Sequence, residues 1–273
     1  MTATTAMFPR RLLLSGFTRR SRSRLRILAT TSITTTTTTT HTFPDFFCLS
    51  RRTLSTNNKP PDFSDPNYWN EYHNRSPSLD WFTSDNAPLL ISIAQTVTSL
   101  RPTDRPSDRP FKVLHVGAGT SSLCEILHSH LDSTNLPFEL THTDITQSSV
   151  SILQNRSVQN VVKLDVTCPN QTSSLGLSSY DLIVDKGLLD CFVHSTSSSS
   201  SSSLKSTLKN FSNLLSDSGT YLMITNDSSD SRFDDFMNYG DGDWDLRRFN
   251  SRELVSDGEG DVVVNVIKVR LKN

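Results

Sequence analysis

The stretch from Lys112 to Leu127, KVLHVGAGTSSLCEIL, constrains the fold more than any other part of the sequence. An apolar run, Val113–Val116, leads into the turn Gly117-Ala118-Gly119, after which apolar residues recur at helical spacing. The pattern predicts a buried strand, a glycine turn and the start of a helix. Glycines let a ligand approach the main chain, because no Cβ is in the way. In open α/β sheets the ligand crevice lies at the carboxyl end of such a strand.

The glycine turn by itself leaves two interpretations open. One is a site for a nucleotide-type cofactor, and the other is an ordinary strand–helix turn. The dehydrogenase fingerprint needs a third glycine three residues after the second. That position is Ser122 in this sequence, which disfavours NAD as the ligand.

The next predicted strand ends on a carboxylate. Phe138, Leu140 and His142 alternate with more polar residues, and the run ends at Asp144. A carboxylate at the tip of the second strand can accept hydrogen bonds from both ribose hydroxyls of an adenosine cofactor. The alternative is that Asp144 is only a turn residue that precedes Thr146.

Strands and helices then alternate along the chain. A third strand is predicted over 158–164, a fourth over 180–184 and a fifth over 221–225. Two further strands, 244–249 and 262–271, flank a glycine-containing turn and predict a closing hairpin. This order predicts an α/β fold with a doubly wound, mostly parallel, seven-stranded sheet and a C-terminal antiparallel hairpin.

Two predictions concern the segment between the fourth and fifth strands. The serine tract within 195–203 is predicted to be a flexible insert, because serines cannot pack a core. Apolar residues over 204–215 repeat at helical spacing, and Ser218-Gly219 is predicted to end that helix.

Residues 1–54 have the composition of a leader. They hold nine arginines, no lysine and a single acid, Asp45, in a Ser/Thr-rich background, which is typical of a disordered transit peptide. The run Arg52-Thr53-Leu54-Ser55 resembles a mitochondrial processing site, so cleavage is predicted near Leu54 and the folded domain over 55–273. The matrix is the predicted destination, and a chloroplast address is an alternative. The alternative to a transit peptide is a disordered basic tail that contacts nucleic acid.

Charge narrows the set of partners. The whole chain has 27 basic and 28 acidic residues, and without the leader 18 basic residues face 27 acidic ones, a net charge of −9. A domain this acidic is not an electrostatic binder of nucleic acid. It would suit a basic or lysine-bearing partner surface. The apolar patch Leu12–Leu14 is too short for a membrane span.

No metal site is predicted. The seven histidines are scattered along the sequence, and the four cysteines form no CxxC pair. Reduced thiols in a matrix-type compartment are expected.

Three blocks of sequence carry a resemblance. YWNEYHNRSPSLDWF, VLHVGAGTSSL and YDLIVDKGLLDCF resemble blocks of the seven-β-strand S-adenosylmethionine-dependent methyltransferases. The methyltransferase-like protein-lysine family is the most similar subgroup; it includes lysine methyltransferases of elongation factor 1A and the mitochondrial one acting on citrate synthase. The resemblance covers roughly Tyr68 to Thr225. It implies a Rossmann-like fold with S-adenosylmethionine as the cofactor.

The resemblance also implies a set of cofactor-binding residues. An aromatic segment would close over the cofactor, although composition alone favours a core staple. A glycine turn would lie beneath the methionine part, one pair of residues would bind the ribose, a second pair would bracket the adenine, and a lysine would end strand four beside the cofactor. The aromatic residues are Trp69, Tyr72 and Trp81, and the glycines are Gly117 and Gly119. Asp144 and Ile145 are the ribose-binding pair, Asp165 and Val166 are the adenine-bracketing pair, and Lys186 is the lysine at the end of strand four.

No catalytic residue is assigned. Asp185 or Asp190 would orient an acceptor amine or take its proton, or else both are structural caps. The loop after strand four lacks an Asn-Pro-Pro-Tyr motif, which argues against nucleobase or glutamine methylation. The resemblance and the leader together predict a mitochondrial protein-lysine methyltransferase, with citrate synthase as the candidate substrate. The alternatives are a small-molecule methyltransferase and a non-catalytic, cofactor-binding assembly factor.

Overall fold

The computed structural model describes residues 61–77, 87–101, 109–255 and 263–271. The predicted leader and Trp81 lie outside the described residues. The helices are α1 (Pro66–Arg75), α2 (Ala87–Ser99), α3 (Leu123–Asp132), α4 (Gln147–Asn155), α5 (Pro169–Ser173), α6 (Leu188–Val193), α7 (Ser200–Leu214) and α8 (Ser229–Tyr239). The strands are β1 (Phe111–Val116), β2 (Phe138–Asp144), β3 (Val161–Lys163), β4 (Tyr180–Lys186), β5 (Leu215–Thr225), β6 (Trp244–Val255) and β7 (Val263–Leu271).

The strands form one seven-stranded sheet in the order β3-β2-β1-β4-β5-β7-β6. The first five strands run parallel, and β7 lies antiparallel between β5 and β6. The predicted doubly wound sheet with a closing antiparallel pair is therefore confirmed. The strand order reverses between β1 and β4, and at such a switch point the connecting segments leave a crevice outside the carboxyl ends of the strands.

The central strands are buried on both faces because helices cover both sides of the sheet. Successive side chains of a strand point to opposite faces. Leu114 accordingly belongs to a core cluster with Phe211 of α7, whereas its neighbour Val113 packs with Ile93 of α2. Strands buried in this way are continuously apolar, which explains why β1 and β4 were recognisable from the sequence.

The serine tract differs from its prediction. Helix α7 begins at Ser200, so the second half of the tract forms its first turn and is not a flexible insert. Leu204 is buried and fixes the helix against the core, and the Ser202 hydroxyl donates a 2.7 Å hydrogen bond to the carbonyl of Ser199. The helix therefore extends back over serines that contribute little to the core themselves.

Strand β5 also begins earlier than predicted. Helix α7 ends at Leu214, and Leu215 already pairs with Tyr180 of β4. The register shifts between Tyr180 and Leu182, which accommodates the extra residues of β5. Ser218-Gly219 therefore lies inside β5, and the prediction that these residues end the helix is wrong.

Two helices, α5 and α8, were not predicted from the sequence. Pro169 begins α5, which suits its fixed φ and missing N–H. Helix α8 is capped by the Ser228 side chain, which accepts from the Ser231 N–H, and it buries Phe236 and Arg232. None of the helices in the described ranges is long and apolar enough to cross a membrane.

Candidate functional site

A cavity of about 280 Å³ opens at the carboxyl ends of β1, β2, β3 and β4. Helix α1 and the segment before it form one of its walls. The sequence-predicted residues that line it are Trp69, Gly117, Gly119, Asp144, Ile145, Asp165, Val166 and Lys186. The fold thus brings together residues from five separate parts of the chain. The cavity lies at the switch point of the sheet, where ligands bind in open α/β folds.

The glycine turn follows β1 directly. Gly117 and Gly119 have φ values of +58° and +57°, in the left-handed region that favours glycine. A Cβ on Gly117 would lie 2.8 Å from the Cβ of Leu188, which no side chain could accept without movement of the backbone. A Cβ on Gly119 would lie 3.5 Å from Cε1 of His73, an ordinary contact distance. Packing therefore requires a glycine at 117, whereas only the backbone conformation favours one at 119.

Asp144 joins the glycine turn to the end of β2. Its Oδ2 accepts a 2.8 Å hydrogen bond from the Gly119 N–H, and its Oδ1 accepts from the N–H and hydroxyl of Thr146 at 2.9 and 2.7 Å. A carboxylate offers about four acceptor positions. The described residues fill three of them, so one further donor can bind without the loss of an existing bond. Asp144 is thus a turn residue and a cavity-lining residue at once.

The end of β3 repeats this arrangement. Oδ1 of Asp165 accepts from the N–H and hydroxyl of Thr167 at 2.9 and 2.7 Å, as Oδ1 of Asp144 does from its own threonine. Among the described residues no group donates to Oδ2 of Asp165. Val166 and Leu164, both buried, place apolar surface beside this carboxylate. Leu164 was not predicted from the sequence, although it directly precedes the predicted pair.

Helix α1 presents Trp69 and His73 to the cavity, and not Tyr72. Residues four apart share a helix face, and the rings of Trp69 and His73 stack with centroids 5.8 Å apart. Tyr72 packs instead against Tyr68, at 5.9 Å between centroids. The indole N–H of Trp69 donates a 2.7 Å hydrogen bond to the carbonyl of Phe63, which fixes the segment before the helix. The structure thus places His73, one position further on, at the cavity where Tyr72 had been expected, and cofactor binding by Tyr72 stays a prediction.

His73 was missed by the sequence analysis. Its side chain is buried, and its Nδ1 has no hydrogen-bond partner within the described ranges. Burial lowers the pKa of His73, and the nearby Asp144 carboxylate opposes that effect. A largely neutral imidazole therefore lies beside Gly119 in the cavity wall. Its spacing of four residues from Trp69 is the signal that could have identified it.

Asp185 and Asp190 serve as internal acceptors and do not line the cavity. Asp185 accepts from the N–H groups of Leu188 and Leu189 at the start of α6 and from the Tyr221 hydroxyl at 2.6 Å. Burial raises the pKa of Asp185 to about 7.

Asp190 accepts a 2.7 Å hydrogen bond from the Thr225 hydroxyl and pairs with Arg232. Burial raises the pKa of Asp190, and the Arg232 guanidinium partly counters this. Asp185 is thus a structural cap of α6, Asp190 is the buried partner of Thr225 and Arg232, and neither carboxylate lines the cavity.

Two histidines and a cysteine meet beneath the glycine turn. Strand pairing sets His115 opposite His142, with 3.1 Å between their Nδ1 atoms, and Sγ of Cys124 lies 3.7 Å from Nδ1 of His115. Burial lowers the pKa of His142 to about 4 and that of His115 well below its ordinary value, and it raises the pKa of the Cys124 thiol. No metal site was predicted because these residues are far apart in sequence. The pairing of β1 with β2 nevertheless brings His115 next to His142 in the fold.

No family model matches the sequence, and no curated protein matches it either. Solved structures do match. An S-adenosylmethionine-dependent methyltransferase from Anabaena variabilis gives a TM-score of 0.54 at 13% identity, over 80% of this chain and 99% of the other. This protein has the fold of such methyltransferases. A second structure, from work on the conversion of a disulfide bond into a thioacetal group during echinomycin biosynthesis, gives 0.51 at 11% identity, over 76% and 93% of the two chains.

Proposed function

We propose that this protein is a methyltransferase that uses S-adenosylmethionine. The observation that carries the proposal is the cavity at the switch point of the sheet, which the glycine turn, Asp144 and Asp165 line together. Open α/β sheets bind nucleotide-type ligands at this position. The shared fold and the resemblance of three sequence blocks support the same cofactor.

The end of β2 and the end of β3 suit the adenosine half of the cofactor. The remaining acceptor position of Asp144 takes one ribose hydroxyl, and a second hydroxyl would replace one of the bonds that Thr146 now makes. Oδ2 of Asp165 can accept from an exocyclic amino group. Ile145 and Val166 supply apolar surface for the faces of the adenine ring.

The glycine turn and α1 suit the methionine half. Gly117 and Gly119 let the ligand lie against main chain, and the stacked Trp69 and His73 add aromatic surface to the cavity, with His73 beside Gly119. Methyl transfer from a sulfonium is an in-line displacement on an already activated carbon. The protein therefore has mainly to align donor and acceptor and to exclude water.

The acceptor that we propose is a lysine side chain of a mitochondrial protein, with citrate synthase as the candidate. The block YDLIVDKGLLD and the arginine-rich leader support this choice, and the net charge of −9 outside the leader suits a basic partner surface. A lysine has a free pKa of ~10.4 and must be neutral to attack. Burial in an aromatic, partly apolar channel would lower that pKa.

The test is incubation of the full chain with methyl-labelled S-adenosylmethionine and mitochondrial extract. Label on one protein band, found as methyl-lysine by mass spectrometry, supports protein-lysine methylation. Purified citrate synthase then replaces the extract, and a variant with its labelled lysine changed to arginine is the control. Label only in the small-molecule fraction would identify a small-molecule methyltransferase. Cofactor binding without any transfer would identify a non-catalytic assembly factor.

The proposed mitochondrial location is tested separately from methyl transfer. Residues 1–54 fused to a fluorescent protein are expected to direct it to mitochondria. A matched fusion with Arg51 and Arg52 changed to alanine is expected to be imported but left uncleaved near Leu54. Accumulation in plastids would favour the chloroplast address and remove the mitochondrial substrate from consideration.

A further inference from the structure

Three metal-ligating side chains converge in the interior of this protein, outside the cavity. His115 of β1, His142 of β2 and Cys124 of α3 are each fully buried, and their ligand atoms all lie within 4.8 Å of one another. The three belong to different elements, which pack against each other directly behind the glycine turn. We propose that His115, Cys124 and His142 form a buried site for monovalent copper.

The distances match those of a shared metal ion. Two imidazole nitrogens and a thiolate at ordinary bond lengths of ~2.0 and ~2.3 Å, in a planar three-coordinate arrangement around one ion, lie ~3.5 to ~3.7 Å from each other. The observed separations are 3.1 Å between the two Nδ1 atoms and 3.7 Å between Sγ of Cys124 and Nδ1 of His115. The ligand atoms of Cys124 and His142 lie within 4.8 Å of each other, so small side-chain movements would bring all three ligands to one ion.

Core packing alone does not account for this cluster. The two imidazoles can form one hydrogen bond with each other, while Nε2 of His115 and Nε2 of His142 have no partner among the described residues. Each buried polar atom without a partner costs about 1–3 kcal/mol. Apolar residues in the same positions of β1 and β2 would avoid that cost. Something beyond packing therefore favours imidazoles at these two positions.

The charge and number of the ligands select the ion. An imidazole that binds an ion through a ring nitrogen is neutral, so the thiolate of Cys124 supplies the one negative charge, and a monovalent cation makes the whole site neutral. A divalent ion would leave an unpaired charge in the core. Soft thiolate ligands favour Cu(I) and zinc, but structural zinc sites almost always have four ligands. This site offers three and is closed to water, which favours Cu(I).

Binding would release one proton and join three elements. The Cys124 thiol loses its proton as the sulfur–copper bond forms, with no change in oxidation state. Because His115 precedes Gly117 by two residues and Cys124 lies in the first turn of α3, the ion would brace both ends of the glycine turn. The proposal does not depend on the proposed methyltransferase activity, since no ligand atom of the site lines the cavity.

The test loads the full chain with copper and counts the ions retained. The chain is refolded from urea under anaerobic conditions with a Cu(I) complex, desalted, and analysed for copper and sulfur. Wild type is expected to retain about one Cu(I) per chain and to show a thiolate-to-copper ultraviolet band. Cys124→Ser and His142→Leu are expected to lose both, whereas the matched control Cys168→Ser retains both. Circular dichroism verifies that each variant is folded.

Four outcomes would overturn the proposal. Wild type could retain no more copper than Cys124→Ser, or Cys168→Ser could lose the ion as well. A parallel refolding with Zn²⁺ is expected to retain at least ~10-fold less metal than the copper sample. Zinc retained at an equal or higher level would assign the site to a different ion. If wild type retains no copper and His142→Leu is more stable than wild type, the cluster is only a feature of the core.

Discussion

The backbone N–H of Gly119 donates a 2.8 Å hydrogen bond to Oδ2 of Asp144, 25 residues further along the chain. This bond ties the turn after β1 to the end of β2, so one carboxylate both shapes the cavity and lines it. The two roles can be separated by measuring ligand affinity and stability on the same variants.

Asp144→Ala is expected to weaken S-adenosylmethionine and S-adenosylhomocysteine binding by at least ~10-fold, because a charged hydrogen-bond acceptor is worth ~1.5–3 kcal/mol. Calorimetric titration of the full chain measures this. The control is Glu139→Gln, which removes a half-exposed carboxylate at the opposite end of the same strand and should leave both affinities unchanged. If Asp144→Ala binds both compounds like wild type, the proposed cofactor site should be abandoned.

Gly117→Ala is expected to destabilise the protein more than Gly119→Ala. Both alanines must adopt φ near +58°, which costs ~1–2 kcal/mol. Only the Cβ at 117 also collides with Leu188, at 2.8 Å, so the difference between the two variants isolates the steric term. Urea unfolding monitored by circular dichroism measures both free energies. Equal losses would contradict the close packing of α6 against the turn.

Stability should depend on pH through Asp185. Burial raises its folded pKa from 3.8 to about 7, so the folded state binds a proton that the unfolded state has lost. The contribution of this group is therefore complete below pH 3.8 and is lost as the pH rises toward 7. Unfolding free energies measured across that window should fall more steeply with pH for wild type than for Asp185→Asn. Identical slopes would rule out the raised pKa.

Arg232→Met is expected to cost ~3–5 kcal/mol of unfolding free energy. The guanidinium is fully buried and pairs with three carboxylates, Asp190, Asp227 and Asp235, which the methionine would leave uncompensated. Lys209→Ala is the matched control, since its pair with Asp243 is partly exposed and should be worth less than ~1 kcal/mol. Losses of similar size in the two variants would contradict the structural importance of the buried cluster.

The strands and most of the cavity could be predicted from the sequence because their signals are local. A buried parallel strand is a continuous apolar run, as in β1 and β4, and β2 is an alternating run that ends on a carboxylate. Gly117, Asp144 and Asp165 lie at or just after the carboxyl ends of β1, β2 and β3, so their convergence follows from the parallel arrangement alone. The prediction needed no knowledge of how the helices pack.

The features that escaped prediction depend on helix phase and on register. His73 and not Tyr72 faces the cavity because each residue of α1 is rotated by 100° from the one before it, and the sign of that phase in the sequence is the four-residue spacing from Trp69. The pairing of His115 with His142 follows from the register between β1 and β2, where a slip of one residue would send the two side chains to opposite faces. Helix α8 was missed because it buries an arginine where an apolar residue would have marked it.

One wall of the cavity comes from residues 63–73, well before the first strand of the sheet. A recombinant protein that starts at α2 would keep all seven strands. Its cavity, however, would be open on the side that Phe63, Trp69 and His73 now close. The same holds for a protease that cuts within this segment. The limits of an expressed protein, its affinity tags and any processing sites near the amino end therefore affect this cavity as much as the sheet does.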